Sequence, residues 1–188
     1  YYLMKLKKFN FKIVNSTNDS AIRIIKNTNT KLGIIIAEKQ KKGKGQYGRK
    51  WISYKGNLFV SIFFPIDMVK LSLRELTNIN CLLVKKLLSG FYKKKISIKK
   101  PNDLLINTKK ISGILQETIS KSGVTFIIVG IGINLIKSPN IKNYPSTNLF
   151  DLINVKINSN NAALKLKKIY EKFIPIFPKF NIKNMYKI

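Results

Sequence analysis

Three apolar segments follow one another in the middle of the chain, and only short turns separate them. Residues 104–106 precede a turn at 107–109, residues 110–119 precede a turn at 121–123, and residues 124–131 follow it. Aliphatic and β-branched residues dominate each segment, which is typical of strands. A turn of three residues is too short for the crossover that joins parallel strands. These segments therefore predict consecutive antiparallel strands in one sheet.

Helices alternate with further strands elsewhere in the chain. Apolar runs predict strands at 11–14, 32–37, 57–64 and 96–98. Ser16 to Asp19 supply cap residues before a short helix, and Ser72 and Glu75 have capping-box spacing before a helix that ends near Gly90. Two more helices are expected near 149–152 and 160–173. This mixture favours an α+β fold, with helices packed on a mixed or antiparallel sheet, over a doubly wound parallel sheet.

The charge of the chain is strongly positive, with 36 lysines and arginines against 8 acidic residues and a net charge of +28. Such an excess ordinarily indicates nucleic-acid binding. However, the only arginines are Arg23, Arg49 and Arg74, and isoleucine and asparagine are abundant. A/T-rich codons would produce this pattern everywhere, so we favour compositional drift. The chain has no histidine, which excludes the usual general base and the usual metal ligand together.

The single cysteine and the apolar runs limit the protein class further. Cys81 lies in an apolar helical pattern, so we expect it in the core rather than as a nucleophile, and it has no disulfide partner within the chain. Runs such as 58–64 and 127–133 are too short to span a bilayer, and the first residues lack the apolar core of a signal peptide. We therefore expect a soluble, cytoplasmic protein that does not bind membranes.

A glycine-rich cationic segment at residues 37–51, called here the basic loop, is the strongest candidate for a ligand site. It reads AEKQKKGKGQYGRKW and ends on the only tryptophan. Glycines allow backbone N–H groups to approach an anion, and the cations supply counter-charge. It matches G-x-G-x-x-G, but a strand follows rather than a helix, which argues against a dinucleotide fold, and the P-loop pattern is absent. A solvated basic loop without a ligand is the simpler alternative.

Five short motifs occur in one order along the chain. They are STN at 16–18, QKKGKGQYGRKW at 40–51, KKPND at 99–103, KISGILQE at 110–117 and GIGIN at 130–134. Each motif alone is weak evidence. Together, at compatible spacings over nearly the whole chain, they resemble the catalytic domain of biotin protein ligases.

The resemblance implies a catalytic domain like those of class II aminoacyl-tRNA synthetases and biotin ligases, and an activity in two steps. Biotin and ATP with Mg²⁺ would give biotinyl-5'-AMP, and the biotinyl group would then pass to a lysine of a biotin carboxyl carrier protein. We expect residues 1–174 to form this domain and 175–188 to be the remnant of a missing or truncated SH3-like barrel. No winged helix, and hence no specific DNA binding, is expected, and a homodimer is left open.

The resemblance also implies roles for individual residues. Lys110 would bridge the biotin carboxylate and the α-phosphate, and Asp103 would orient Mg²⁺ or the incoming amine. Lys109 is expected to be solvated, because strand neighbours point in opposite directions. The other expected biotin-binding residues are Ser16, Thr17, Asn18, Gln40, Gly43, Lys44, Gly45 and Gln46. The expected nucleotide-binding residues are Lys44, Arg49, Trp51, Asn102 and Asn134.

The chain departs from the family pattern at three of these motif positions. Lys44 and Gln46 stand where arginines are usual, and Lys100 replaces a tryptophan. The loss of a cation at Gln46 predicts weaker retention of the adenylate, or a reduced or lost activity. A lipoate ligase is the nearest alternative, although its Arg-Arg-x-Ser-Gly-Gly-Gly segment is absent, and a nucleic-acid-binding module is the other. The ligase interpretation requires Lys44 and Lys110 to share one cavity.

Overall fold

A single mixed sheet forms the centre of the computed structural model, which describes residues 4–179. The order of its seven strands is β1-β2-β3-β7-β6-β5-β4. β1 runs parallel to β2, and all other neighbours are antiparallel. The strands are Lys7–Val14 (β1), Gly33–Gln40 (β2), Leu58–Pro65 (β3), Ser97–Lys99 (β4), Asp103–Ile106 (β5), Lys109–Lys121 (β6) and Val124–Ile133 (β7). The predicted α+β fold with a mixed sheet is confirmed.

Four α-helices accompany the sheet within the described residues: Thr17–Asn27 (α1), Leu73–Ser89 (α2), Leu149–Ile153 (α3) and Ser159–Phe173 (α4). The capping box predicted from Ser72 and Glu75 is present at the start of α2. α1 starts one residue after its N-cap, Ser16, so the motif residues Thr17 and Asn18 belong to the first helical turn. None of the helices in the described part of the chain is long and apolar enough to cross a membrane.

The two faces of the sheet carry different cores because strand residues alternate between them. On one face, Ile62 and Ile127 pack in a large core that includes the buried residues of α2 and α4. On the other face, Phe63 and Ile128 pack in a smaller core against α1. The small core covers only part of its face. The remaining part of that face, over β6 and β7, is available for the site described below.

Cys81 is fully buried in the larger core, as predicted. Burial raises the pKa of its thiol to about 12, and the nearby Asp103 carboxylate adds to this effect. The thiolate is the nucleophilic form of cysteine, and a pKa this high suppresses it at neutral pH. The structure therefore supports a packing role for Cys81.

The last described residues, 175–179, lie in the predicted C-terminal remnant. A 3₁₀ segment, Ile174–Lys179, follows α4 directly. Within it, Phe177 is 1% exposed, and its ring centroid lies 5.3 Å from that of Phe64 and 4.7 Å from that of Phe173. Phe177 therefore adds to the large core, and the domain boundary predicted after residue 174 stays a prediction. The rest of the predicted remnant, residues 180–188, lies outside the described residues.

Several strands are longer than the apolar runs predicted, and β1 and β7 are two of them. β1 begins at Lys7 rather than at residue 11, since exposed lysines at an edge strand hide its period. β7 continues past residue 131, where the predicted run ends, through Gly132 to Ile133. Gly130 and Gly132 keep their strand partners on β3 and β6. Side chains from other segments lie directly on both glycines.

Candidate active site

A cavity of about 380 Å³ lies between the basic loop and the uncovered part of the sheet. β6 and β7 form its floor, and the start of α1 forms one wall. The basic loop lies over it, and residues 137–146, called here the second loop, line the remaining side. This volume is in the range of pockets that hold small-molecule ligands.

The floor is made of glycines on which side chains rest directly. Gly113 and Gly132 are partners across β6 and β7. A methyl group at Gly132 would lie 2.4 Å from Cε2 of Trp51, and one at Gly113 would lie 2.8 Å from its Cζ3. The indole of Trp51 therefore occupies space that any other residue at these positions would fill. The absence of side chains at Gly113 and Gly132 therefore lets this ring lie directly on the strand backbone.

Asn18 rests on the third floor glycine in the same way. A methyl group at Gly130 would lie 2.4 Å from Asn18 Oδ1. The Nδ2 group of Asn18 donates to Leu115 O at 3.2 Å and to Glu117 Oε2 at 2.6 Å, and its Oδ1 accepts from Ser61 Oγ at 2.5 Å. Both amide hydrogens are therefore used within the protein. Asn18 lines the cavity and fixes the start of α1 to the sheet.

Gln40, at the end of β2, connects the basic loop to α1. Its Oε1 accepts from Thr17 N at 2.9 Å and from Thr17 Oγ1 at 3.2 Å, and its Nε2 donates to Ser53 Oγ at 3.2 Å. A side-chain acceptor at a helix start satisfies an N–H group that has no partner in the helix. Gln40 therefore positions Thr17 at the wall of the cavity.

Lys110 is the central cation of the site. Its Nζ lies 2.7 Å from Asp103 Oδ1 and 5.3 Å from the centroid of the Trp51 ring. Its backbone is fixed as well, because Lys110 N donates to Pro145 O and Lys110 O accepts from Thr147 N, both at 2.9 Å. Lys109 is exposed, as strand alternation predicted.

The basic loop is a narrow hairpin with an exposed tip. Gly45 N donates to Arg49 O at 2.7 Å, and Trp51 N donates to Gly43 O at 2.9 Å. At the tip, Tyr47 has a φ of +56° and is 89% exposed, and Gly48 has a φ of +73°. Left-handed backbone of this kind is suited to glycine, which explains Gly48.

Two cations tie the basic loop to opposite walls. Lys44 Nζ lies 2.5 Å from Asp19 Oδ1 in the first turn of α1. The guanidinium of Arg49 lies 5.1 Å from the centroid of the Tyr144 ring in the second loop. Both contacts are partly exposed and individually weak. The basic loop is therefore held over the cavity by two weak side-chain contacts, which a competing anion can replace.

The structure brings together almost all of the residues predicted for the site, and Lys44 and Lys110 line the same cavity, as the ligase interpretation requires. The exception is Gly43, which is buried and is not among the lining residues. A methyl group at Gly43 would lie 2.4 Å from Trp51 O, so a glycine is needed here for the two sides of the basic loop to pack together. The predicted residues that do line the cavity are Ser16, Thr17, Asn18, Gln40, Lys44, Gly45, Gln46, Arg49, Trp51, Asn102, Asp103, Lys110 and Asn134.

Two buried polar atoms on lining residues have neither a hydrogen-bond partner nor an ion-pair partner among the described residues, whereas Asp103 Oδ1 has the ion pair with Lys110. They are Nε1 of Trp51, a donor, and Oδ1 of Asn134, an acceptor. Asn134 is 2% exposed, and its Nδ2 donates to Thr147 O at 3.1 Å. Unpaired buried groups are costly and rare. The part of the cavity lined by Trp51 and Asn134 therefore suits a ligand that offers both a hydrogen-bond donor and an acceptor.

Sequence reasoning missed three contributors to the site. The second loop supplies Tyr144, but its sequence has no periodic pattern that predicts a position over a cavity. Asn57 anchors that loop, and only its tertiary contacts reveal it. Glu117 belongs to the KISGILQE motif but had no predicted role. It holds Asn18, and a carboxylate at a fixed motif position could have indicated such a partner.

The model of the biotin/lipoate A/B protein ligase family matches residues 10–134, which include every lining residue outside the second loop. This match covers well over half of the chain, and the chain belongs to that family. Among curated relatives, the bifunctional ligase/repressor BirA of Bacillus subtilis is 32% identical over 130 residues. The biotin–[acetyl-CoA-carboxylase] ligase of Paracoccus denitrificans is 30% identical over 128 residues. The matched parts cover 68% and 66% of this chain, but only 40% and 53% of those relatives.

Solved structures are similar over nearly the whole chain. A biotin protein ligase from Aquifex aeolicus in complex with biotin and ATP has a TM-score of 0.81 at 28% identity, and the match covers 95% of this chain and 74% of that one. A biotin protein ligase from Leishmania major in complex with biotinyl-5-AMP also has a TM-score of 0.81, at 23% identity, covering 96% and 78%. At 23% identity, the similarity to the Leishmania protein shows a shared fold and nothing more. Both agree with the predicted biotin ligase-like fold.

Proposed function

We propose that this chain catalyses the ATP-dependent activation of biotin as biotinyl-5'-AMP and transfers biotin to a lysine of a biotin carboxyl carrier protein. The observation that carries this proposal is Lys110, which is paired with Asp103 over a glycine floor and lies beneath a cationic loop. The names of the relatives and the ligands of the Aquifex protein support the same substrates.

The first step needs electrostatic screening more than proton transfer. The biotin carboxylate is ionised at neutral pH, so one of its oxygens attacks the α-phosphorus directly. A carboxyl oxygen–phosphorus bond forms, the bond from that phosphorus to the bridging oxygen breaks, and pyrophosphate leaves with the electron pair. Lys110, from the floor, and Lys44 and Arg49, from the basic loop, would stabilise the negative charge of both reactants. A site without histidine is suited to this chemistry.

The two ends of the cavity would hold the two halves of the intermediate. The wall formed by Ser16, Thr17 and Gln40 offers polar groups to the ureido ring of biotin. At the other end, the unpaired Oδ1 of Asn134 would accept a hydrogen bond from the exocyclic amine of adenine. Trp51 would offer its ring face to the base.

The family implies Mg²⁺ together with ATP, and the residues of the cavity fit such an ion. Within the described residues, no cluster of three or more acidic, cysteine or histidine side chains could hold a metal by itself. Asp103 is the only carboxylate on the described lining of the cavity. Mg²⁺ commonly takes one or two carboxylates, and phosphates and water complete its shell. Asp103, with Asn102 beside it, would hold the ion, which would neutralise phosphate charge.

In the second step, the amine of the acceptor lysine attacks the carbonyl carbon of the mixed anhydride. An amide bond forms, the bond between that carbon and the phosphate oxygen breaks, AMP leaves with the electron pair, and the proton that the amine loses passes to solvent. Asp103 would orient the amine, because its carboxylate lies at the cavity beside Lys110. The basic loop would shield the anhydride from water until the acceptor arrives. The acceptor, a cytoplasmic location and a homodimer remain predictions.

Biotin-dependent exchange of pyrophosphate into ATP tests the first step directly. We expect exchange with biotin and Mg²⁺, and none with lipoate as the matched substrate. Exchange with lipoate alone would support the lipoate ligase alternative. No exchange with either acid, together with salt-sensitive binding to arbitrary duplex DNA, would contradict the proposed function and support a nucleic-acid-binding module.

Gln46→Arg is expected to slow the release of biotinyl-5'-AMP by about tenfold or more, because a charge-assisted hydrogen bond to phosphate contributes about 1.5–3 kcal/mol. Gln46 lines the cavity from the basic loop, and glutamine lacks the charge of arginine. Rapid filtration of labelled adenylate measures the release rate. Tyr47→Arg is the matched control, since it adds the same charge at the exposed tip. Equal release rates for Gln46→Arg and wild type would contradict this prediction.

A further inference from the structure

Asn57 is a buried asparagine outside the cavity whose side chain makes four hydrogen bonds to one short stretch of backbone. It is 1% exposed and immediately precedes β3. Its Oδ1 accepts from the backbone N–H groups of Leu135, Ile136 and Lys137 at 3.1, 2.9 and 3.1 Å. Its Nδ2 donates to Lys137 O at 2.7 Å. All four bonds end on the residues that directly follow Asn134.

The four hydrogen bonds of Asn57 fix the backbone just beyond the end of β7, where strand pairing no longer does so. β7 ends at Ile133, so residues 135–137 lack strand partners. Three consecutive amides converge on one oxygen, and for the buried Leu135 this bond satisfies a donor that water cannot reach. A convergent set of this kind also fixes the direction in which the chain leaves the strand. Asn57 therefore determines how the second loop begins.

The stretch fixed by Asn57 lies between the two parts of the nucleotide end. On one side is Asn134, whose unpaired Oδ1 is an acceptor on a lining residue. On the other side is the second loop, in which the ring of Tyr144 contacts the guanidinium of Arg49. The far end of the second loop is hydrogen-bonded to the backbone of Lys110. The biotin end is built differently, from α1 and Gln40, and none of its hydrogen bonds involves residues 135–137.

We propose that Asn57 is a positioning residue for the nucleotide half of the site, acting through residues 135–137 on Asn134 and on the second loop. Asn57 does not line the cavity and acts only through the backbone that it holds. This inference rests on the proposed function, because it assigns ATP to that end of the cavity. With Asn57 in this role, ATP affinity and biotin affinity depend on different residues around the same cavity.

The test measures ATP and biotin binding separately by titration calorimetry, with the full chain and three variants. Asn57→Ala is expected to weaken ATP binding by about tenfold or more, since small displacements of binding groups are costly, and to leave the biotin affinity within about twofold. Asn57→Asp keeps an oxygen that can accept the three N–H groups but loses the bond donated to Lys137 O, and it is expected to restore part of the ATP affinity. Asn57→Ser, with a shorter acceptor, should fall between them.

Asn80→Ala is the matched control for the general cost of losing a buried asparagine. Asn80 is fully buried on the other side of the sheet, where it bonds Gln116 and Tyr170. Thermal unfolding of each variant sets a temperature at which all of them are folded. If Asn57→Ala does not fold, the order of ATP affinities among wild type, Asn57→Asp and Asn57→Ser decides the matter.

Two outcomes overturn the inference while the proposed function stands. One is an equal loss of biotin and ATP affinity in the alanine or serine variant, which is what a structural role alone would give. The other is an unchanged ATP affinity in those variants. If wild type binds neither ligand, the proposed function fails, and the inference fails with it.

Discussion

Lys110→Ala is expected to reduce biotin-dependent ATP–pyrophosphate exchange by about a thousandfold, because removal of one group that stabilises transition-state charge costs about two to three orders of magnitude. Its ammonium is paired with Asp103 and held at the centre of the floor, where the carboxylate and the α-phosphate would meet. Exchange rates at saturating biotin and ATP measure the effect on the chemical step. Titration calorimetry measures binding separately.

Lys109→Ala is the control for this variant. The two lysines are sequence neighbours with the same charge, but Lys109 is exposed and does not line the cavity. We expect Lys109→Ala to keep the exchange rate within about twofold of wild type, as is usual for a surface site. Similar losses in both variants would contradict the role of Lys110. Thermal unfolding of Lys110→Ala distinguishes lost chemistry from the cost of leaving Asp103 without its partner.

Gly130→Ala is expected to weaken biotin binding by about a hundredfold, since a displacement of about 1 Å in a binding group has effects of that size. The added methyl group would lie 2.4 Å from Asn18 Oδ1 and would push that side chain from the floor. Asn18 would then lose its bonds to Ser61 and Glu117, and the start of α1 would move with it. ATP binding is expected to change much less. Titration calorimetry with each ligand measures both effects.

Gly90→Ala is the control for a glycine replaced elsewhere. Gly90 follows α2 with a φ of −68°, a backbone conformation that alanine adopts readily, and it does not line the cavity. The added methyl group would lie 3.0 Å from Leu87 O, so the end of α2 would shift slightly, far from the ligand. We expect unchanged binding of biotin and ATP in this variant. A biotin affinity equal to that of wild type in a folded Gly130→Ala variant would show that the position of Asn18 does not matter to the ligand.

Much of the fold follows from local sequence patterns. The capping box at Ser72 and Glu75 and the apolar period after it predict α2, and the short turns between apolar runs predict the antiparallel strands. The start of β1 is missed because an exposed edge strand has no continuous apolar face. No local pattern predicts the burial of Phe177, because its ring packs in a core built from distant segments.

The site is predictable where short motifs carry it and not where tertiary contacts build it. The five motifs identify nearly all of the predicted lining residues, although the family and its chemistry follow from resemblance and not from composition. The charge of +28 alone would indicate a nucleic-acid partner. No local pattern shows that Trp51 rests on Gly132, that Asn57 holds the chain after Asn134, or that Tyr144 meets Arg49. Each of these contacts joins residues from separate segments of the chain.

The connection between Lys110 and the second loop uses main-chain atoms only, through Pro145 O and Thr147 N. The identity of the side chains around this connection is therefore free to vary, while the number of residues in the loop is not. Ligand preference at this end could be redesigned by substituting Tyr144 without displacing the ammonium of Lys110. Insertions or deletions in the same loop would shift it and would be poorly tolerated.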